Sequence, residues 1–331
     1  MDEFPEMFMD NFPDYLMDAQ YLLMPREVME IDEDVRRVIY RESIAQKIFP
    51  TKQIPRGFDE WRVPIATQPS APIFTKNFEA EAFGRVEKEE KIFYLVGLMK
   101  DYFISMKDID NSRNSPWYRQ KIDTLHLREM TASVAHFREL LFWRGFDILG
   151  GVPAAIDANL AGIVTDAGIS TFNANGAAAK LGTAGDGMKG LADAVKVLVK
   201  AKYKPPFDTV MTTEVFGQLL INMNATTHVT DLERILGLNN QEERRLVKNA
   251  YISDALLNHV DTGATSAWAF IAQKNTAGED TVQLLESYPL WHYPVNSTKL
   301  GIRGKILCMN GAAPIRPDAI CFEDTIDVDG Q

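Results

Sequence analysis

The 331-residue chain is poor in several things, and each shortage removes a class of function. It has only two cysteines, Cys308 and Cys321, and no CxxC pair. A disulfide framework and a cysteine zinc site are therefore excluded, and an intracellular origin fits. No run of about 18 apolar residues occurs, which excludes a spanning helix. The N-terminus, MDEFPEMFMDNFPDY, is acidic and broken by Pro5 and Pro13, so it does not read as a secretory signal. A basic stripe is also missing. The net charge is −11, and a chain that grips nucleic acid needs clustered Lys and Arg to release counterions. What remains, at 46% apolar and 24% charged residues, is the composition of a globular protein.

The negative charge sits in one place. Residues 1–34 hold eleven acids against the single base Arg26, a net of −10 that leaves −1 for the rest of the chain. The same segment carries Phe4, Phe8, Phe12, Tyr15, Tyr21 and several Met and Leu. Ordinary disordered tails lack such aromatics. Two readings stand: an amphipathic helix packed on its own domain, or an arm that docks on a neighbouring subunit.

Residues 33–47 predict a short helix with Val35, Val38, Ile39 and Ile44 on one side. Five prolines between 50 and 72 then exclude long helices and central strands. The strand-like pieces WRVPIAT, IFT and KIFYLV within 61–95 predict an irregular two-stranded excursion. Two strands cannot bury a face alone, so this ribbon needs something to lie on. Residues 91–109 predict a strand leading into a helix, with the boundary near Gly97. Ser115-Pro116 has the form of a helix cap and first position, and predicts a helix running to Arg144, before Gly145. Leu127, Met130, Val134, Phe137 and Leu141 form its apolar stripe.

Residues 151–190, with eight Gly and ten Ala, predict a loop-rich connector. Residues 190–203 predict an amphipathic helix, FDTVMTT a buried strand and TEVFGQLLIN another helix. Residues 226–300 predict alternating short helices and strands. KILCMNGAAPIRPDAICFEDTI predicts two strands split by a Gly/Pro turn. No internal repeat is visible. The fold class is α+β.

Candidate chemistry is thin. Gly185-Asp-Gly187-Met-Lys-Gly190 satisfies GxGxxG, but no strand precedes it and no GK[ST] follows, so it reads as a flexible loop. His126 and His136 pair with Glu129 and Glu139 at HxxE spacing, yet ten residues of helix separate the histidines by about 15 Å, so they cannot share an ion. They read as a polar stripe with Ser133. His228, His259 and His292 stand alone and read as surface or capped groups. Asp108-Ile-Asp110-Asn-Ser112 opens like a calcium loop, but Arg113 and Arg119 occupy the positions of its Gly and Glu. GxSxG, HExxH and a kinase set are all missing. Cys308, in KILCM, reads as a buried structural thiol. No catalytic, cofactor or metal residue is assigned.

The order of parts carries more information. An acidic arm, a Pro-punctuated β excursion, a long helix ending in ELLFWRGFD, a Gly/Ala-rich loop, LADAVKVLVKAKYKPPFDTVMTTEVFGQLL and a closing Arg316-Pro317-Asp318-Ala319-Ile320 follow one another. This order resembles the Hong Kong 97-like major capsid proteins of tailed phages and related archaeal viruses, a fold shared by encapsulin shells. The resemblance implies an N-arm over 1–58, an extended E-loop over 59–96, and a peripheral domain with its spine helix over 97–190. It further implies an axial domain over 191–310 and a C-terminal strand returning to the body over 311–331. It implies a non-enzymatic major capsid protein, found in the virion and assembled in the host cytoplasm. Its partners would be its own copies, as pentamers and hexamers or as pentamers only, closing into an icosahedral shell around double-stranded DNA held without sequence-specific binding. Portal, scaffolding or decoration proteins are further partners of that family; a membrane and a cofactor are not implied. Expected interface residues are Phe8 and Phe12 in the arm, and Trp61, Arg62, Ile73, Phe74, Phe83 and Arg85 in the loop. Lys-to-Asn crosslinks occur in some members; Lys76 and Lys88 lie in that loop, but no signature supports the reaction. An encapsulin shell enclosing a cargo enzyme is the alternative, although encapsulins resemble this pattern with a short N-terminal helix rather than an arm of some 34 residues. An enzyme of unknown reaction is the alternative of another class.

Overall fold

The computed structural model describes residues 43–66, 88–114, 125–145, 162–172, 179–237, 245–257, 266–298, 301–324 and 326–328. Through them run helix α1 (Ala45–Ile48) and strands β1 (Thr51–Gln53), β2 (Glu60–Ala66), β3 (Lys88–Tyr94) and β4 (Val96–Ser105). Helices α2 (Met106–Asn114) and α3 (Leu125–Arg144) follow, then the short strands β5 (Ser170–Thr171) and β6 (Ala179–Lys180). Next come α4 (Asp186–Lys200), β7 (Phe207–Met211), α5 (Thr213–Ile221) and α6 (Asp231–Ile235). The chain closes with β8 (Val247–Ile252), β9 (Trp268–Ile271), β10 (Val282–Thr298), β11 (Gly301–Pro314), β12 (Ile320–Glu323) and β13 (Ile326–Asp327). The class is α+β, as expected.

Two sheets organise the chain. One has strand order β1-β10-β11-β4, antiparallel except for β1 alongside β10. The other has order β5-β12-β9-β7-β8. Its inner strands β12, β9 and β7 are buried on both faces, so they carry few exposed side chains and little polar alternation. Phe207, Met211, Trp268 and Phe270 face a core closed by Leu191, Ala194 and Leu198 of α4, Val215 and Leu219 of α5, and Leu232 and Ile235 of α6. Val210, Ala269, Ile271 and Ile320 face the opposite way, onto Leu140, Phe142 and Trp143 of α3.

Helix α3 is the spine. Its end before Gly145 agrees with the sequence: Gly145 takes φ +63, the left-handed cap that glycine adopts without strain. The expected start at Ser115-Pro116 lies outside the described residues. The described part, 20 residues, spans about 30 Å. Leu127, Val134 and Ala135 pack on Tyr102, Ile104, Ile302, Ile306 and Cys308 of the four-stranded sheet. The expected stripe needs one correction. Phe137 is 44% exposed and Arg138 takes the buried place at 1%. At about 100° per residue Phe137 sits about 80° from Leu127 on one side, whereas Arg138 lies about 20° from it on the other, toward the buried Thr131 and Ala135. From Arg138 onward every residue is buried, because the helix there passes between the two sheets.

Three further expectations move. The strand at 91–109 does not end near Gly97 but runs to Ser105, because β4 pairs along its whole length with β11. Within 226–300, residues 282–298 form one strand of 17 residues rather than short pieces. Register shifts at Glu286/Tyr288, Tyr288/Trp291 and Pro294/Asn296 break its alternation three times, which hides it from a period-two reading. Asp186–Gly190 is not a loop but the first turns of α4. The two final strands do form, but in different sheets: β11 in the first, β12 in the second.

Candidate self-assembly surface

The expected β excursion exists at its root. Among the described residues β2 pairs only with β3, from Glu60 opposite Tyr94 to Ala66 opposite Lys88. Pro64 is tolerated because the two strands form a sheet of their own. The root rests on the body through Phe93 and Leu95, buried with Ile54, Leu285 and Ala313. Lys91 adds an ion pair to the buried carboxylate of Asp166. Trp61 and Arg62 part ways on this ribbon. Trp61 leans on its own subunit, with the Lys52 ammonium 4.2 Å from its ring centre. Arg62 points to solvent and pairs with Glu60 at 2.7 Å on the same strand. Phe8, Phe12, Ile73, Phe74, Phe83 and Arg85, as well as Lys76, lie outside the described residues.

The chain emerging from residues 1–42 is gripped by two neighbouring residues of the spine. Glu139, 4% exposed, accepts from Ala45 N at 2.9 Å, Ile44 N at 3.2 Å, Ser43 Oγ at 3.1 Å and Trp143 Nε1 at 2.7 Å. Burial raises its pKa, with the hydrogen bonds from Trp143, Ala45 and Ser43 and the nearby Arg138 charge pulling the other way. Arg138 donates to Gln46 Oε1 at 3.1 Å and lies 4.0 Å from Glu286 on β10. Glu286 in turn accepts from Gln53 Nε2 at 2.6 Å. The spine, the arm root and the long strand pair are thus joined by buried polar contacts. Sequence reasoning missed both residues, since it placed Glu139 with the histidines; the adjacent opposite charges inside an apolar helix were the available signal.

Among the described residues the first sheet has one uncovered side. Its far face is covered by α3, and its near face shows Met99 at 60% and Phe103 at 36% exposed. Met99 stands opposite Leu307, which stands opposite Trp291, so an apolar row crosses three strands.

The candidates for chemistry resolve into structure. The amides that open α4 are already occupied: Asp231, fully buried, accepts from Gly185 N at 2.8 Å and Gly187 N at 3.3 Å. A phosphate would have to displace this carboxylate. Gly187 and Gly190 are there for close packing, since a Cβ would lie 2.4 Å from Leu219 and 3.0 Å from Trp268. Asp108 accepts from Ser105 Oγ at 2.5 Å at the start of α2, a helix cap rather than a calcium loop. His136 is exposed, as is His228, while His259 lies outside the described residues. His292 corrects the surface reading: it is 4% exposed, and burial lowers its pKa to about 4, keeping the ring neutral at pH 7. Both thiols are buried, which pushes Cys308 up to about 11 and Cys321 up to about 12, so neither is a nucleophile at neutral pH. Among the described residues no three His, Cys, Asp or Glu are grouped to hold a metal, and no helix is long and apolar enough to cross a membrane.

No family model matches the sequence, and no curated protein matches it. Solved structures do. The virus-like particle of Pyrococcus furiosus aligns with TM-score 0.56 at 11% identity, over 88% of this chain and 98% of that one. The capsid of Myoviridae phage XM1 aligns with TM-score 0.55 at 10% identity, over 84% and 90%. The capsid of a native GTA particle aligns with TM-score 0.55 at 15% identity, over 85% and 89%. At such identities the likeness is one of fold. The ribbon, the spine helix over a long-stranded sheet and the second α+β layer are the Hong Kong 97-like capsid fold, and this chain has it.

Proposed function

We propose that this chain is a structural shell protein, the major capsid protein of a double-stranded DNA virus, whose copies close into an icosahedral wall. The observation that carries the reading is a fold, common to particle-forming proteins, in which one subunit leaves its own surfaces uncovered. The apolar row through Met99 and Leu307 needs a partner. So does a two-stranded ribbon whose root rests on the body through Phe93 and Leu95. Self-association with closed symmetry covers them with one gene product.

In this proposal the arm (1–58) leaves the spine at Glu139 and docks on a neighbour, and the E-loop (59–96) reaches over another. The peripheral domain (97–190) and axial domain (191–310) form the tile, with 311–331 returning to the body. The strand pairing supports one refinement: β10 and β11, residues 282–314, group with the spine rather than with the axial part. The near-neutral body suits a wall that encloses DNA without gripping it. The protein has no catalytic role, resides in the virion after assembly in the host cytoplasm, and admits portal, scaffolding or decoration proteins as partners.

An encapsulin-like compartment with a protein cargo is the second reading, favoured by the alignment over nearly the whole subunit of a virus-like particle. Analysis of particles purified from the natural source separates the two. Packaged double-stranded DNA supports the capsid, a stoichiometric protein cargo the compartment, and a small soluble oligomer with neither overturns both.

A further inference from the structure

Resting on the shell reading, we infer that the acidic stretch of the arm, residues 1–34, docks on a lysine-rich face of α4 in a neighbouring copy. No basic stripe stands out along the chain as a whole, yet KVLVKAKYK, residues 196–204, holds four lysines and no acid. The fold keeps all four exposed: Lys196 and Lys200 on the outer face of α4, Lys202 and Lys204 just past its end. Phe207 N donates to Leu246 O at 2.9 Å, which brings the exposed Arg245 beside them. Among the described residues none of these cations pairs with a carboxylate. Lys200 alone serves the negative end of the helix, and the others exceed that need. Apolar groups lie among them: Val199, between Lys196 and Lys200 on the helix, is 50% exposed, and Leu246, next to Arg245, is 37% exposed.

The end of α4 is a fixed frame. Tyr203 N donates to Leu198 O at 3.0 Å and Lys202 N to Val199 O at 2.9 Å, the paired bonds of a Schellman end. Leu198 and Tyr203 are buried in one core, and the Tyr203 hydroxyl donates to Asp318 Oδ1 at 3.0 Å. Such an end favours glycine at its left-handed position, and here Lys202 takes it, at φ +71. A lysine is strained there and a glycine is not, so the position holds a cation against the preference of the turn.

Charge and chemistry select the occupant. Residues 1–34 carry a net −10 against −1 for the rest of the chain, so the arm is the polyanion that the protein itself supplies. Every copy brings one, at the high local concentration of a tethered segment. Phe4, Phe8 and Phe12 also offer apolar groups to Val199 and Leu246, which a phosphate backbone cannot do. Fully extended, the chain ahead of Ser43 reaches about 30 Å to residue 34 and about 140 Å to residue 1, enough to cross onto a neighbour. Docked there, the arm neutralises the lysines, in keeping with a wall that does not grip DNA.

The test assembles the full chain from a mixture of ordinary and heavy-isotope subunits and treats it with a carbodiimide, which joins a carboxylate directly to a lysine amine. Mass spectrometry is expected to find residues 1–34 joined to Lys200, one partner light and the other heavy. Lys196→Glu with Lys204→Glu leaves Lys200 in place and is expected to cut that link by about tenfold or more at an unchanged subunit melting temperature. Salt of about 1 M, where the Debye length is about 3 Å, should weaken it likewise. Absence of the link, a link only within one copy, a link indifferent to the charge reversal, or one that forms only after nuclease treatment, which would give this face to DNA, overturns the inference and leaves the shell reading standing. A link between copies in a protein that never closes into particles keeps the inference and removes the shell reading.

Discussion

Removing the Glu139 side chain tests the arm-root anchor. In Glu139→Ala the amides of Ile44 and Ala45 and the indole N–H of Trp143 lose their acceptor in a site from which water is excluded. Each stranded donor costs about 1–3 kcal/mol, offset in part by removing a desolvated carboxylate, so a net loss of about 3–5 kcal/mol is expected. That is a fall on the order of 5–10 °C in melting temperature for a domain of this size. Glu139→Gln keeps one carbonyl oxygen for the three N–H donors and can donate to Ser43 Oγ, so it should stay within about 1 kcal/mol of wild type. Burial raises the Glu139 pKa in the folded chain, so its contribution to stability is present below the ordinary carboxylate value and lost as pH rises through the raised one. Glu139→Gln should therefore gain on wild type as pH climbs from about 4 toward 7. Urea unfolding of the unassembled subunit at both pH values measures all three effects. If alanine proves as mild as glutamine, the anchor is not what holds residues 43–45 to the spine.

Arg138→Met leaves Glu286 with the Gln53 amide but no cation and should cost about 1–3 kcal/mol, while Arg138→Met with Glu286→Leu should recover much of it; equal losses in urea melts would deny the pairing. Gly217→Ala, with no atom within 4 Å of the added Cβ in the middle of α5, should stabilise by about 0.5–1 kcal/mol. Gly162→Ala, whose Cβ would lie 2.3 Å from Gly145 N and 2.4 Å from Trp143 O, should cost about 3 kcal/mol or prevent folding, and calorimetry of the pair checks both signs. Deleting residues 1–34 should leave the subunit's unfolding transition in place and impair assembly; particles of unchanged yield and melting temperature would remove the docking role of the arm.

Legibility from sequence followed the regularity of the pattern. The buried strand at Phe207–Met211 and the helix beginning at Thr213 were readable because apolar runs and a turn bounded them. The spine's end was readable because Gly145 is a chemical stop. The 17-residue β10 was hidden, because each register shift turns the alternation to the other face, and Pro289 and Pro294 sit among those shifts. The start of α4 was hidden because glycine reads as loop, whereas Gly187 and Gly190 are small to admit Leu219 and Trp268. Of the expected surface residues only Trp61 and Arg62 fall among the described ones, and they face differently. No pattern in WRVPIAT tells which side of a ribbon lies on its own subunit, since that depends on Lys52 and Ile54, which precede it in the chain but meet it only in the fold.

Electron microscopy of the purified full chain tests the central claim most directly. The account predicts closed shells of uniform diameter with icosahedral symmetry, whose subunit density shows the spine over the long strand pair. A monodisperse monomer at high concentration, with the ribbon from Trp61 to Val96 protected from protease in isolation, would contradict it.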